Sequence, residues 1–236
     1  MPKKKKIINI AVDGPSGAGK STLARGIAET LGISYVDTGA IYRTLGLAAL
    51  REGIDPQNRT AVSELLGRVS VDLDFKDGRQ INLLNGEDPG DEIRTPQASD
   101  AASKISAIPE VRLFLLDLQR RTAKRRSTVM DGRDIGTVII PDADVKIFLS
   151  ASPEERARRR FEEMTAKGIV CEYEQVLSDI IERDERDSTR ALAPLRPADD
   201  AVLLDNSGFE PEDSLRAAMD IIYRALPRLF RPSAKR

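Results

Sequence analysis

The residues whose types and spacing could do chemistry begin with one short run. Gly14-Pro15-Ser16-Gly17-Ala18-Gly19-Lys20-Ser21 fits the spacing G-x-x-x-x-G-K-[ST], and Thr22 follows it. Glycines let the backbone curl until several N–H groups converge on one anion. A helix beginning near Lys20 adds its positive end to the same point. Lys20 can then reach β- and γ-phosphates, and the Ser21 hydroxyl can bind Mg²⁺, largely together with phosphates and water. Residues 14–22 are the candidate loop for a nucleoside triphosphate. The motif names that ligand class without choosing between a kinase, a motor and a switch.

Two further segments carry arginine beside carboxylate. One is Asp37-Thr38-Gly39-Ala40-Ile41-Tyr42-Arg43 and the other Asp131-Gly132-Arg133-Asp134. Arginine grips phosphate oxygens with two parallel hydrogen bonds. The carboxylates could hold Mg²⁺ or accept a hydrogen bond from a base or sugar. Either segment alone reads equally well as a surface ion pair. Arg156, Arg158, Arg159 and Arg160 form a third group, with Arg156 and Arg160 one helical turn apart. Such a cluster is often a solvated face. Above a phosphate loop it reads as a lid that shields the reaction and neutralises charge. Arg183, Asp187 and Arg190 share one helical face, and taken alone they read as an ion-pair ladder.

The elements that must position these groups alternate between strand and helix. Residues 7–13 are a nearly continuous β-branched run, which predicts a strand buried on both faces. Leu23, Ala24, Ile27, Ala28 and Leu31 recur at helical spacing up to Gly32. Further strands are predicted at 33–37, 128–131, 145–149 and 201–205, with a helix over 38–50. Ser152-Pro153-Glu154-Glu155 reads as a capping box that opens a charged helix broken near Gly168. Thr95-Pro96 and Pro109 start two more helices. Leu215, Ala218, Met219, Ile222 and Leu226 line the last one. After residue 70 the period drops to two around a turn at Lys76-Asp77-Gly78-Arg79, which predicts a β-hairpin inserted into the α/β pattern. Alternation of this kind predicts a parallel sheet covered by helices on both faces. Ligands of such sheets bind outside the carboxyl ends of the strands, where both arginine segments begin.

Composition removes other chemistries. With no histidine and one cysteine, Cys171, the chain has no Ser-His-Asp or Cys-His nucleophile system, no disulfide within it and no Cys/His zinc site. Acids and bases number 38 and 37, so net charge gives no support to a nucleic-acid or membrane-surface partner. No run approaches the roughly 20 apolar residues of a membrane span. The basic residues 1–6 read as a solvated, disordered tail rather than a signal segment.

Taken together these pieces resemble bacterial-type cytidylate kinases. The resemblance is carried by the phosphate loop, by 37–43, by Glu92-Ile-Arg94-Thr95, Ala101-Ala-Ser103, Val111-Arg112, 131–137, 145–149, 183–187 and Arg190. It runs from about residue 8 to 223. It implies a P-loop NTPase-like α/β fold: a five-stranded parallel sheet, a monophosphate-binding insertion over 64–98, and a short arginine-rich lid over 153–170, all in one kinase domain spanning 7–236. It implies transfer of the γ-phosphoryl group of ATP to CMP or dCMP with Mg²⁺, by a cytoplasmic monomer. By similarity Lys20, Asp131, Arg133, Arg156 and Arg160 would be catalytic, the last two from the lid. Arg43, Arg133 and Arg190 would hold the acceptor phosphate, and Thr38, Tyr42 and Asp131 would also belong to the CMP-binding set. Ser103, Arg112 and Asp134 would read the cytosine edge, and Arg183 and Asp187 would contact the sugar. Two rival readings are another small-molecule kinase on the same scaffold, of adenylate, shikimate or dephospho-coenzyme A type, and a non-catalytic nucleotide-binding module.

Overall fold

The structure, a computed structural model, describes residues 7–76 and 78–227. The expected basic tail 1–6, the turn residue Asp77 and residues 228–236 lie outside the described residues. In chain order the elements are β1 (Asn9–Asp13), α1 (Lys20–Leu31), β2 (Ser34–Asp37), α2 (Thr38–Arg51), α3 (Arg59–Leu66), β3 (Val71–Lys76) and β4 (Arg79–Leu84). They continue with α4 (Pro96–Ile105), α5 (Pro109–Arg125), β5 (Thr128–Gly132), β6 (Val145–Ser150), α6 (Pro153–Ala166), α7 (Tyr173–Thr189), β7 (Val202–Asp205) and α8 (Pro211–Ala225).

Five strands form one sheet in the order β2-β5-β1-β6-β7, and every pairing is parallel. All five therefore end at the same edge, where the phosphate loop and both arginine segments leave the sheet. Ile10 and Val12 of β1 face a core built with Leu23, Ala24 and Ile27 of α1 and Ala218 and Ile222 of α8. Alternate residues point to the other face, where Ala11, Val36 and Met130 pack with Ala123, Ile135 and Ile139. Helices thus cover both faces, as the buried strand pattern predicts.

The hairpin forms as β3 paired antiparallel with β4. It packs Leu73 and Phe75 against the sheet core and Leu84 into a second core, and one side chain bonds it to the open edge of β2. Gln80 Oε1 accepts from Asp37 N at 2.7 Å, and Gln80 Nε2 donates to Asp37 O at 3.1 Å. A glutamine amide thereby takes the place of a neighbouring strand at that residue. The second core, with Ile41 and Leu45 of α2, Val62 and Leu65 of α3, Ile105 of α4 and Val111 and Leu115 of α5, lies beside the sheet.

Three elements differ from the sequence reading. Helix α3, a 3-10 turn at Gly90–Arg94 and a π-helical turn at Ile135–Ile139 are additional. Helix α3 is only eight residues long, too short to show a clear period, and it starts where the Asn58 side chain accepts from Ala61 N. Of the capping box at 152–155, half is present: Ser152 Oγ accepts from Glu155 N, while the Glu155 carboxylate turns to Arg158 and Arg159. Among the described residues no helix is long and apolar enough to cross a membrane.

Candidate active site

Above the sheet edge lies a cavity of about 860 Å³. The phosphate loop forms one wall. It leaves β1 at Gly14, whose φ of +150° suits glycine and where an added Cβ would sit 2.0 Å from the Leu149 carbonyl oxygen. Lys20, at the start of α1, is buried, and its Nζ donates to Pro15 O at 2.5 Å. Burial, with Arg133 close by, holds the Lys20 ammonium well below its ordinary pKa. An anion in the loop would reverse that effect. Ser16, Gly17, Gly19, Lys20, Ser21 and Thr22 line the cavity, while Gly14, Pro15 and Ala18 shape the loop from behind.

At the foot of the loop Ser21 Oγ donates to Asp131 Oδ2 at 2.7 Å, and the Tyr35 hydroxyl donates to Asp131 Oδ1 at 3.0 Å. Burial and then the nearby Asp37 raise the Asp131 carboxyl to about 6. Two hard oxygen donors side by side under the loop are the donor type that Mg²⁺ takes.

The opposite wall carries the groups expected to meet an acceptor. Arg133 Nε donates to Asp187 Oδ2 at 2.8 Å. Arg43 Nη2 donates to Asp37 Oδ2 at 2.8 Å, and the same Asp37 caps α2 by accepting from Ala40 N. Thr38 Oγ1 donates to Asp131 O, which ties the start of α2 to β5 at the cavity floor. Arg183 is half-buried, and among the described residues its buried Nε has no hydrogen-bond partner. Burial, then repulsion from Arg133, lowers its pKa to about 10, and burial with Arg112 lowers that of Arg190. Burial works to raise the pKa of Asp187, and Arg133, Arg183 and Arg190 together more than offset it. Crowded guanidiniums out of water constitute an anion site.

Farther along this wall Arg112 pairs with Asp134, each side chain only 6% exposed. The Arg112 guanidinium also lies over the Tyr42 ring, 5.6 Å from its centroid. Arg190 Nη2 reaches Asp134 Oδ1 at 3.4 Å, and Ser103 Oγ accepts from Arg186 Nη1 at 3.0 Å. A fixed carboxylate, guanidinium and hydroxyl offer both donors and acceptors to the edge of a planar base.

The expected lid arginines separate into two environments. Arg160 lines the cavity and pairs with Glu163 at 2.9 Å, while Arg158 and Arg159 pair with Glu155. Arg156 does not fit the expectation of a mobile lid group. It is 2% exposed, and its three donors go to Ala151 O, Ser16 O and Asp184 Oδ2. It stands behind the phosphate loop instead of over it.

The sequence reading missed several groups at this site. Asp13, at the end of β1, accepts from Ile135 N at 2.8 Å and Gly136 N at 2.7 Å. It thereby fixes the turn that follows Arg133 and Asp134. After β7, Asn206 and Phe209 line the cavity with Arg159; Asn206 Nδ2 donates to Ala18 O of the loop at 3.0 Å, and Arg159 Nη2 donates to Asn206 O at 2.8 Å. The rule that ligands gather at strand ends was the available signal for both sets.

The family model for cytidylate kinase matches residues 10–224. Cytidylate kinase of Caldicellulosiruptor bescii is 45% identical over 221 residues, which is 94% of this chain and 98% of that protein. Cytidylate kinase of Mycobacterium leprae is 48% identical, covering 91% of this chain and 95% of its own. Among solved structures, an uncharacterized protein from Eubacterium ventriosum shares the fold, with a TM-score of 0.53 at 16% identity over 93% of this chain and 99% of that one. With two cytidylate kinases at 45% and 48% identity over more than nine-tenths of its length, and the family match over nearly all the described residues, the chain belongs to the cytidylate kinase family.

Proposed function

We propose that this chain transfers the γ-phosphoryl group of ATP to CMP or dCMP, giving ADP and CDP or dCDP. The observation that carries the reading is one cavity with two unlike ends. A phosphate loop with Lys20 stands at one, and the Arg112–Asp134 pair with Ser103 stands at the other. Arg43, Arg133, Arg183 and Arg190 line the space between them. A nucleoside monophosphate laid along that axis puts its base on the carboxylate end and its phosphate among the arginines.

The chain's own residues then have separable tasks. Loop amides and Lys20 hold the donor phosphates. Arg43, Arg133 and Arg190 hold the acceptor phosphate, and Asp187 and Arg183 face the sugar. Asp134 and Arg112, with Ser103, take the amino donor and the acceptors of cytosine. Thr38 and Tyr42 close the acceptor side, Arg160 faces the cavity from α6, and Phe209 with Arg159 offers a face for the donor base. Ser21 and Asp131 would hold Mg²⁺, which neutralises charge on the transferred group when bound. The acceptor oxygen is already anionic, so its attack on the γ-phosphorus needs no general base, and breaking the β,γ-bridge bond leaves ADP. A chain without histidine can run this reaction.

An ADP-release assay with Mg-ATP and each of CMP, dCMP, UMP, AMP and GMP tests the proposal. Turnover confined to CMP and dCMP, with UMP a poor third, is the expected result. Preference for AMP or GMP would remove the roles given to Ser103, Arg112 and Asp134. No turnover with any of the five would overturn the reading.

A further inference from the structure

The group the proposed reaction leaves without a task is Arg156. Its Nε donates to Ala151 O at 2.9 Å, just beyond β6. Its Nη1 donates to Ser16 O at 3.0 Å, in the phosphate loop, and its Nη2 to Asp184 Oδ2 at 2.6 Å, on α7. One buried guanidinium thus joins the sheet edge, the donor loop and the helix that carries the acceptor-side groups. Only arginine can do this, because its planar fork presents separate donors in fixed directions.

Two details give the contact a consequence. The Ser16 carbonyl faces Arg156, and in a planar trans peptide the N–H of Gly17 must point the opposite way. Gly17 lines the cavity and Arg156 does not, so that amide is turned toward the donor phosphates. The loop also lies close against Arg156: a Cβ at Gly17 would meet Arg156 Cβ at 3.2 Å, and φ there is +77°. Asp184, for its part, is adjacent to Arg183 and shares α7 with Asp187. Among the described residues its Oδ1 is buried without a partner, so its hold on the fold by side-chain hydrogen bonding runs through Arg156.

We propose that Arg156 and Asp184 form a positioning pair: Arg156 sets the Ser16–Gly17 peptide, and Asp184 locks that loop to the α7 face bearing Arg183 and Asp187. Neither side chain touches the reacting phosphates. The pair fixes the separation of donor and acceptor, to which phosphoryl transfer is steeply sensitive. The inference rests on the proposed transfer from ATP to CMP.

The test compares wild type, Asp184→Asn, Arg156→Lys and the double variant. Asparagine keeps the volume of Asp184 but loses its charge, and lysine cannot span three acceptors. Each single variant is expected to lose kcat by about tenfold to a hundredfold, while KM for CMP and for ATP each move far less. The double variant should be no worse than the poorer single, as for residues acting as one unit. CMP binding, read by calorimetry with and without a non-hydrolysable ATP analogue and Mg²⁺, should lose its dependence on the analogue in Asp184→Asn. A purely structural pair would lower the urea midpoint and leave that dependence intact. Wild-type kcat in a folded Asp184→Asn, or additive losses, would overturn the proposal. If Arg156→Lys does not fold, Asp184→Asn decides alone through kcat and the coupling. Wild type inactive on CMP would instead remove the functional reading itself.

Discussion

Replacing Asp13 by asparagine pits a buried charge against the hydrogen bonds it makes. Asp13 is 4% exposed and accepts from two backbone amides, yet burial outweighs those bonds and raises its pKa from 3.8 to about 6. That difference disfavours the ionised form in the folded protein by ~3 kcal/mol. The sign follows from linkage. Below the unfolded value both states are protonated and the group costs nothing; as pH rises through the folded value, stability is lost. Asparagine carries no charge at any pH, so the pH-dependent part of the cost is absent from the variant. Asp13→Asn gives up one of the two amide hydrogen bonds at every pH, a constant cost of about 1–3 kcal/mol. It should therefore be less stable than wild type near pH 4 and shift in its own favour by up to ~3 kcal/mol by pH 8, a relative change in Tm of ~6–12 °C for a chain of this size. Urea unfolding of both proteins at several pH values reads the gap directly. The same variant should lose turnover, since one amide oxygen cannot serve both Ile135 N and Gly136 N, and the turn after Arg133 and Asp134 is loosened. A stability gap that does not shift toward the variant between pH 4 and pH 8 would refute the reasoning.

Lys20→Ala should cut turnover by at least ~10²–10³-fold with an unchanged or higher urea midpoint, because it removes a phosphate ligand and a buried charge together; near-normal kcat would contradict the role given to Lys20. Asp134→Asn should lower kcat/KM for CMP by ~10–100-fold and narrow the preference over UMP, as measured by competing the two substrates. Gln80→Ala removes both bonds that hold the hairpin to Asp37. The expected outcome is a several-fold higher KM for CMP at little cost in Tm, since Asp37 also orients Arg43.

The phosphate loop was legible because its chemistry is local: eight consecutive residues carry the anion site, and the strand before and helix after them follow from short-range pattern. The parallel sheet followed from element alternation and from chirality. The hairpin was visible as a change of period from 3.6 to two. Helix α3 and the π-helical turn were not visible, since one is short and the other depends on Asp13, more than a hundred positions earlier in the chain.

The arginines show where sequence stops. Spacing placed Arg156 and Arg160 on one helical face and assigned them one role. In the fold Arg156 is buried behind the loop and Arg160 pairs with Glu163 at the cavity rim. Helical periodicity fixes a side chain's direction only relative to its own helix. Which arginine enters the interior depends on what the rest of the chain packs against that helix, and on which carboxylate arrives within reach. Asp184 reaches Arg156 across 28 positions and Asp187 reaches Arg133 across 54. The sequence by itself determined the phosphate-binding chemistry and the order of elements, because both are set by neighbours in the chain. The tertiary structure alone decided the partner of each buried charge, because desolvation and ion pairing act through space.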